Sequence, residues 1–179
     1  MTDSLERRSP RLRWLVIGAV IIVLIVAAIM ISQTAARAAP DQPIAFSHQT
    51  HNEAEVECLF CHPNALRSDI AGIPSVERCA GCHRVIEPEE EIIQTVLGYW
   101  ERREPIPWVP VQPQPDHVIF SHHPHLRNGL SCEDCHGQVS QMTVVRPVIN
   151  MDMGWCLTCH QEQPEEKVAR LTDCLACHK

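Results

Sequence analysis

Five times in this chain two cysteines stand two residues apart and a histidine follows at once: Cys58, Cys61 and His62; Cys79, Cys82 and His83; Cys132, Cys135 and His136; Cys156, Cys159 and His160; Cys174, Cys177 and His178. These triplets use all 10 cysteines and five of the 11 histidines. The pattern suits one chemistry above others. Two thiols form thioethers to the two vinyl groups of a haem, and the adjacent imidazole ligates the iron from one face. A structural zinc site pairs two Cys-x-x-Cys units per metal and has no use for a histidine after each. A disulfide or redox dithiol leaves the five histidines equally unexplained. The sequence therefore predicts five covalently bound haem c groups.

Composition agrees. Only Phe46, Phe60, Phe120, Tyr99 and four tryptophans supply aromatic bulk among 179 residues, and 14 prolines interrupt regular structure. So short a chain allows about one ordinary domain. Five porphyrins would provide the missing apolar mass, so the expected fold is a multihaem cytochrome c with little regular secondary structure and short helices around five covalent haems. Stability would then depend on cofactor attachment. The formal charge of −7 omits the haem propionates, so an acidic outer face is expected, suited to a basic soluble electron acceptor through salt-sensitive steering. No basic cluster points to nucleic acid, because the arginines gather at the N-terminus.

Residues 1–13 contain Arg7, Arg8, Arg11 and Arg13, and the stretch 14–31, from Trp14 to Ile31, carries no charge. Its length suits a transmembrane helix. Positive charge ahead of it predicts a cytoplasmic N-terminus and a haem domain on the periplasmic side of the inner membrane, where covalent haem attachment takes place in bacteria. Ala36-Arg37-Ala38 followed by Ala39 resembles a signal cleavage site, but the apolar run is long for a signal peptide, and a retained anchor is the preferred reading.

After a linker at 32–43, the chain repeats itself. Phe46-Ser47-His48-Gln49-Thr50-His51 precedes Cys58, and Phe120-Ser121-His122-His123-Pro124-His125 precedes Cys132 at the same interval. This divides the soluble region into a two-haem repeat at 44–88, a connecting segment at 89–117, a second two-haem repeat at 118–163 and a fifth-haem segment at 164–179. Within the connection, 89–104 reads as an amphipathic helix whose apolar face, Ile92, Ile93, Val96, Leu97 and Trp100, packs on haem edges or a partner. The proline-rich run 105–115 must be an extended strap that spaces the halves.

An iron held by one histidine has an open sixth position, and its occupant separates carrier from catalyst. Six histidines lie outside the motifs. His48, His51, His122 and His125 recur at matched repeat positions and are the expected distal ligands. The fifth distal ligand is open among His117, His123, Met142 and Met153, with Met151 a weaker candidate. Met153, three residues before Cys156, stands too near to reach round its own haem but could serve a neighbouring one.

The Phe-x-His-x-x-His element ahead of Cys-x-x-Cys-His is similar to the small multihaem cytochromes of the c3 and c7 type. The wider arrangement comprises an anchor, two such repeats, Pro105-Ile106-Pro107-Trp108, Cys135-His136-Gly137 and Met153-Gly154-Trp155-Cys156. It resembles the membrane-anchored pentahaem cytochrome subunit of alternative complex III, a quinol:electron-acceptor oxidoreductase of respiratory or photosynthetic membranes. The resemblance implies that His48 and His122 serve the haems of His62 and His136, with His51 and His125 reaching others. It also implies as partners an iron-sulfur subunit related to molybdopterin oxidoreductases, polytopic quinol-binding subunits and a monohaem cytochrome. The expected role is electron transfer, not catalysis by this chain alone. Two rivals stand beside it: a stand-alone membrane-anchored quinol dehydrogenase of the tetrahaem type, and a multihaem reductase with an open iron site.

Overall fold

A computed structural model describes residues 10–36 and 38–178. Arg7, Arg8, Arg37 of the cleavage-like sequence and Lys179 lie outside the described residues. The chain divides into two units, Met1–Ala38 and Ala39–Lys179.

Among its described residues the first unit forms one helix, α1, Pro10–Ala36. Pro10 opens it, as proline does where the first N–H has no helical partner anyway. Within α1, Leu12–Ser32 has a mean hydropathy of 3.2 and none of it is buried. A helix apolar on every side suits lipid rather than one wet and one dry face. At 27 residues α1 extends past both ends of the apolar run read from the sequence and covers about 40 Å.

The second unit contains nine short helices and no strand among the described residues: α2 His48–Glu53, α3 Cys58–Cys61, α4 Val76–His83, α5 Glu91–Glu101, α6 His122–Arg127, α7 Cys132–His136, α8 Met153–Gln161, α9 Glu165–Leu171 and α10 Cys174–Cys177. Two 3-10 turns, Pro63–Leu66 and Val139–Gln141, follow the first and third motifs. A single isolated antiparallel bridge joins Val118 to His178.

The amphipathic helix is shorter than its apolar pattern. Glu90 is extended and Pro88 accepts from the Gln94 side chain, so α5 starts at Glu91. At its other end Arg103 turns to φ 56° and the Glu104 N–H returns to the Tyr99 carbonyl at 3.0 Å, before Pro105 forbids another turn. Its Ile93 and Val96 are buried, while Ile92 is exposed. That face closes on the polypeptide itself: Ile44, Val76, Val96 and Ile106 form one small cluster, with Cys79, Tyr99, Trp100 and Trp108 packed against it. The strap, extended as its prolines require, thus sends Ile106 into the core. It is also tied to the linker, because Gln42 donates to the Val109 carbonyl at 2.7 Å and accepts from the Val109 N–H at 2.9 Å.

The two repeats seat on each other reciprocally. Helix α2 of the first packs on the Val139–Gln141 turn of the second, and α6 of the second packs on the Pro63–Leu66 turn of the first. Backbone bonds fix both seats: Gln49 N–H to the Met142 carbonyl at 3.1 Å, and His122 N–H to the Asp69 carbonyl at 3.3 Å.

Candidate functional site

All five Cys-x-x-Cys segments lie on helical turns, in α3, α4, α7, α8 and α10. A helical turn puts residues three and four apart on one face, which brings both thiols of a motif to the same side. The ten thiols are free. Partial burial pushes the thiols of Cys61, Cys79, Cys135 and Cys156 upward in pKa, because the thiolate is the form that burial disfavours.

Each Phe-x-His-x-x-His element folds into one compact device. Ser47 and Ser121 are the N-cap residues of α2 and α6, and the phenylalanine before each wedges between the two imidazoles. Phe46 lies edge-on to His48 at 4.8 Å and stacks on His51 at 4.4 Å. Phe120 repeats this with His122 at 4.8 Å and His125 at 4.6 Å. The three-residue spacing and the wedge aim the two rings of each helix at two different motifs.

The histidines meet in pairs across the structure. Ring centroids are 6.0 Å apart for His51 and His83, 6.3 Å for His122 and His136, 6.0 Å for His125 and His160, and 5.5 Å for His117 and His178. His48 is the neighbour of His62: burial first, then the charges of His62 and His51, lower the His48 pKa to about 4 and keep its ring neutral. Four of the five motif histidines therefore have a histidine from outside the motifs in ring contact, and His62 acts on His48 through its charge. Two metal–imidazole bonds of about 2 Å and two ring half-widths of roughly 1.1 Å together span about 6 Å, so this spacing fits two rings sharing one metal ion.

The proton positions fit as well. Nδ1 of His51 lies 2.8 Å from the Ser47 carbonyl, that of His125 2.7 Å from Ser121, that of His122 3.0 Å from Asp69, that of His62 2.7 Å from Gly72 and that of His160 2.9 Å from Leu171. A carbonyl only accepts, so Nδ1 carries the proton and Nε2 keeps its lone pair. His136 is held differently, by Oε1 of Gln112 at 3.2 Å, and Gln112 in turn donates to the Ile149 carbonyl at 3.1 Å. Nδ1 of His48 is buried without a partner.

His117 reaches His178 through the isolated bridge. Val118 pairs with His178, and the Ile119 N–H bonds the Cys177 carbonyl at 2.8 Å. Met142 contributes its backbone carbonyl to Gln49, Met153 is 61 % exposed at the start of α8, and His123 makes no ring contact among the described residues. Gln112 and the carbonyls that orient the rings were not singled out from the sequence. Backbone acceptors leave no residue-type signal, and nothing marks one glutamine in a proline-rich strap.

Among the described residues no three His, Cys, Asp or Glu side chains converge as a metal cluster, so a tetrahedral zinc donor set is not offered. The donors come as facing pairs beside paired thiols. Large apolar side chains next to the motifs, including Leu59, Phe60, Leu66, Val85, Ile86 and Leu175, lie on the polypeptide surface, where they suit contact with a large flat apolar group. The arrangement fits covalently attached haem.

Residues 118–179 match the family model of cytochrome c7 and related cytochrome c, and residues 26–106 match that of the class III cytochrome C family. The chain belongs to the multihaem cytochromes c of the c3/c7 type, which carry covalently bound haem c and transfer electrons. Among curated relatives, it is 32 % identical over 164 residues to the multiheme cytochrome c subunit of the menaquinone reductase of Nitratidesulfovibrio vulgaris, a match covering 78 % of this chain and 77 % of that protein.

Proposed function

We propose that this chain is a membrane-anchored electron-relay subunit holding five haem c groups, each fixed by the two cysteines of a motif and bracketed by two imidazoles. The pairs are His62 with His48, His83 with His51, His136 with His122, His160 with His125 and His178 with His117. The observation that carries this reading is the facing of a second histidine on four of the five motif histidines. Bound haem supplies reversible one-electron chemistry at iron, and ligation by two histidines leaves no coordination position for a substrate. The chain's own residues do the positioning: Nδ1 acceptors fix the rings of His51, His62, His122, His125, His136 and His160 and raise their basicity, and the phenylalanine wedges hold two rings per helix in place. The same pairing disfavours a reductase with an open iron site.

The matched relative and the apolar helix α1 support a place in a membrane quinone oxidoreductase, with α1 as a single-pass anchor, the N-terminus in the cytoplasm and the haem domain outside. The partners would be polytopic quinone-binding subunits, an iron-sulfur subunit related to molybdopterin oxidoreductases and a monohaem cytochrome. In the alternative complex III reading, quinol gives up two electrons and two protons, and the relay carries the electrons singly to a periplasmic acceptor. The relative's name, menaquinone reductase subunit, favours a second reading with the current reversed, toward quinone.

Electron paramagnetic resonance of the oxidised holoprotein tests the ligation, with five low-spin bis-histidine centres expected and no carbon monoxide adduct on reduction. A high-spin centre or a methionine-ligated one would remove the pairing at that position. Direction is tested in membranes: reduction of the haems by added menaquinol supports the first reading, and their rapid reoxidation by a menaquinone analogue with no reduction by menaquinol supports the second.

A further inference from the structure

We propose that the five attachment sites form one unbranched series in space, in the order His83, His62, His136, His160, His178, so that the first two motifs exchange places relative to the sequence. The proposal rests on the five-haem reading above and adds to it an order.

Two of the four links are made by single helices. Helix α2 presents His48 beside His62 and His51 beside His83, from positions three residues apart on one six-residue element. Residues so spaced on a helix are about 5–6 Å apart at Cβ, which forces those two sites to be adjacent. The Arg78 guanidinium, next to Cys79 of the second motif, accordingly lies 5.0 Å over the ring of Phe60, inside the first motif. Helix α6 does the same for the second repeat, with His122 beside His136 and His125 beside His160.

The middle link crosses the reciprocal seat. His122, the partner ring of His136, is bonded through both its N–H and its Nδ1 to the Asp69 carbonyl of the first repeat, at 3.3 and 3.0 Å. Helix α6, which carries the partner ring of His136, rests on the turn that directly follows His62. The sites of His62 and His136 are therefore neighbours, although the whole connecting segment separates them in sequence. The last link joins the fifth motif to the second repeat: His160 Nδ1 bonds the Leu171 carbonyl, three residues before Cys174, at 2.9 Å, and residues 117–119 run along Cys177 and His178.

With both helices of the repeats already spanning two sites each, the series has two ends, at His83 and His178. An electron passing from the site of His83 to that of His178 crosses from the first repeat to the second between the sites of His62 and His136.

Anomalous scattering at the iron edge from crystals of the full holoprotein tests the order directly. Five irons are expected, each between its two histidines, with nearest neighbours following the series and the irons of His83 and His178 farthest apart. An iron of His83 nearer to that of His136 than to that of His62, or a closed ring bringing the two ends together, would overturn the order while leaving the five-haem reading intact. Fewer than five irons, or an iron lacking one of its assigned histidines, would instead remove the reading on which the order rests.

Discussion

The two halves of the haem domain share one histidine device but not one way of holding it. In the first half the polypeptide has a core of its own: Ile44, Ala65, Val76, Ala80, Ile93, Val96 and Ile106 are all buried. Among the described residues from 118 to 178, none is buried to that degree. Burial of a large aliphatic side chain contributes about 1.5–3 kcal/mol, so the first half has an independent source of stability. The second half depends on whatever its cysteines and histidines bind. A cofactor-rich chain thus does not distribute its dependence on the cofactor evenly.

The largest effect that would test this difference comes from removing attachment. Replacing Cys156 and Cys159 by alanine should expose residues 118–178 to proteolysis and hydrogen exchange. The matched change at Cys79 and Cys82 should leave protection in α5 above that of the second half. Equal collapse of both halves would show that the first-half core is too small to matter. Next in size are the distal ligands. His48→Ala and His122→Ala should each convert one centre of five to a high-spin form that binds carbon monoxide. His117→Ala should do the same for the site of His178, read by the same spectra, whereas an unchanged spectrum would return the fifth ligand to Met142, Met153 or His123.

The residue after the first motif of each repeat sharpens the contrast further. Gly137 has φ 67°, and a Cβ there would come within 2.5 Å of Val148. Gly137→Ala should therefore cost about 2–4 kcal/mol from the left-handed backbone and the overlap together, measured by denaturant unfolding of the holoprotein. Pro63, its counterpart after His62, opens a 3-10 turn, and Pro63→Ala should cost less than about 1 kcal/mol.

A smaller and more specific effect follows from the Nδ1 acceptors. His62 is held by a backbone carbonyl that mutation cannot remove, and His136 by the Gln112 side chain. Gln112→Glu should lower the midpoint potential of one centre by on the order of tens of millivolts, and Gln112→Leu should raise it, because the first makes the ring a stronger donor and the second a weaker one. A redox titration that shows no centre moving would deny Gln112 this part. Smallest of all, Met142→Leu, Met153→Leu and His123→Ala should leave the spectra unchanged and stability within about 1 kcal/mol.

The motif triplets, the matched Phe-x-His-x-x-His elements, the apolar helix and the extended strap were legible because each is a local pattern: a thiol spacing, a repeat interval, an uncharged run, a string of prolines. The apposition of His117 and His178 was not, since it depends on an isolated bridge between Val118 and the far end of the chain. Nor was the shortening of the 89–104 pattern to Glu91–Glu101, which follows from the left-handed turn at Arg103. The apolar face of α5 was expected on haem edges or a partner, and the structure closes it on Ile44, Val76 and the returning strap. Contacts made by a chain coming back on itself leave no periodicity to read.

The reciprocal seating of α2 on the second repeat and α6 on the first has the logic of an isologous interface, in which the same patch is used twice with its roles exchanged. Two separate copies of a single repeat would meet in this way about a two-fold axis. The molecule is thus organised as a homodimer written into one polypeptide, with the proline-rich strap as the fusion and the last motif as an addition outside the symmetry. Covalent joining lets the halves differ: one has an aliphatic core, and the other holds its first motif histidine with a side chain that substitution can tune rather than with a backbone carbonyl.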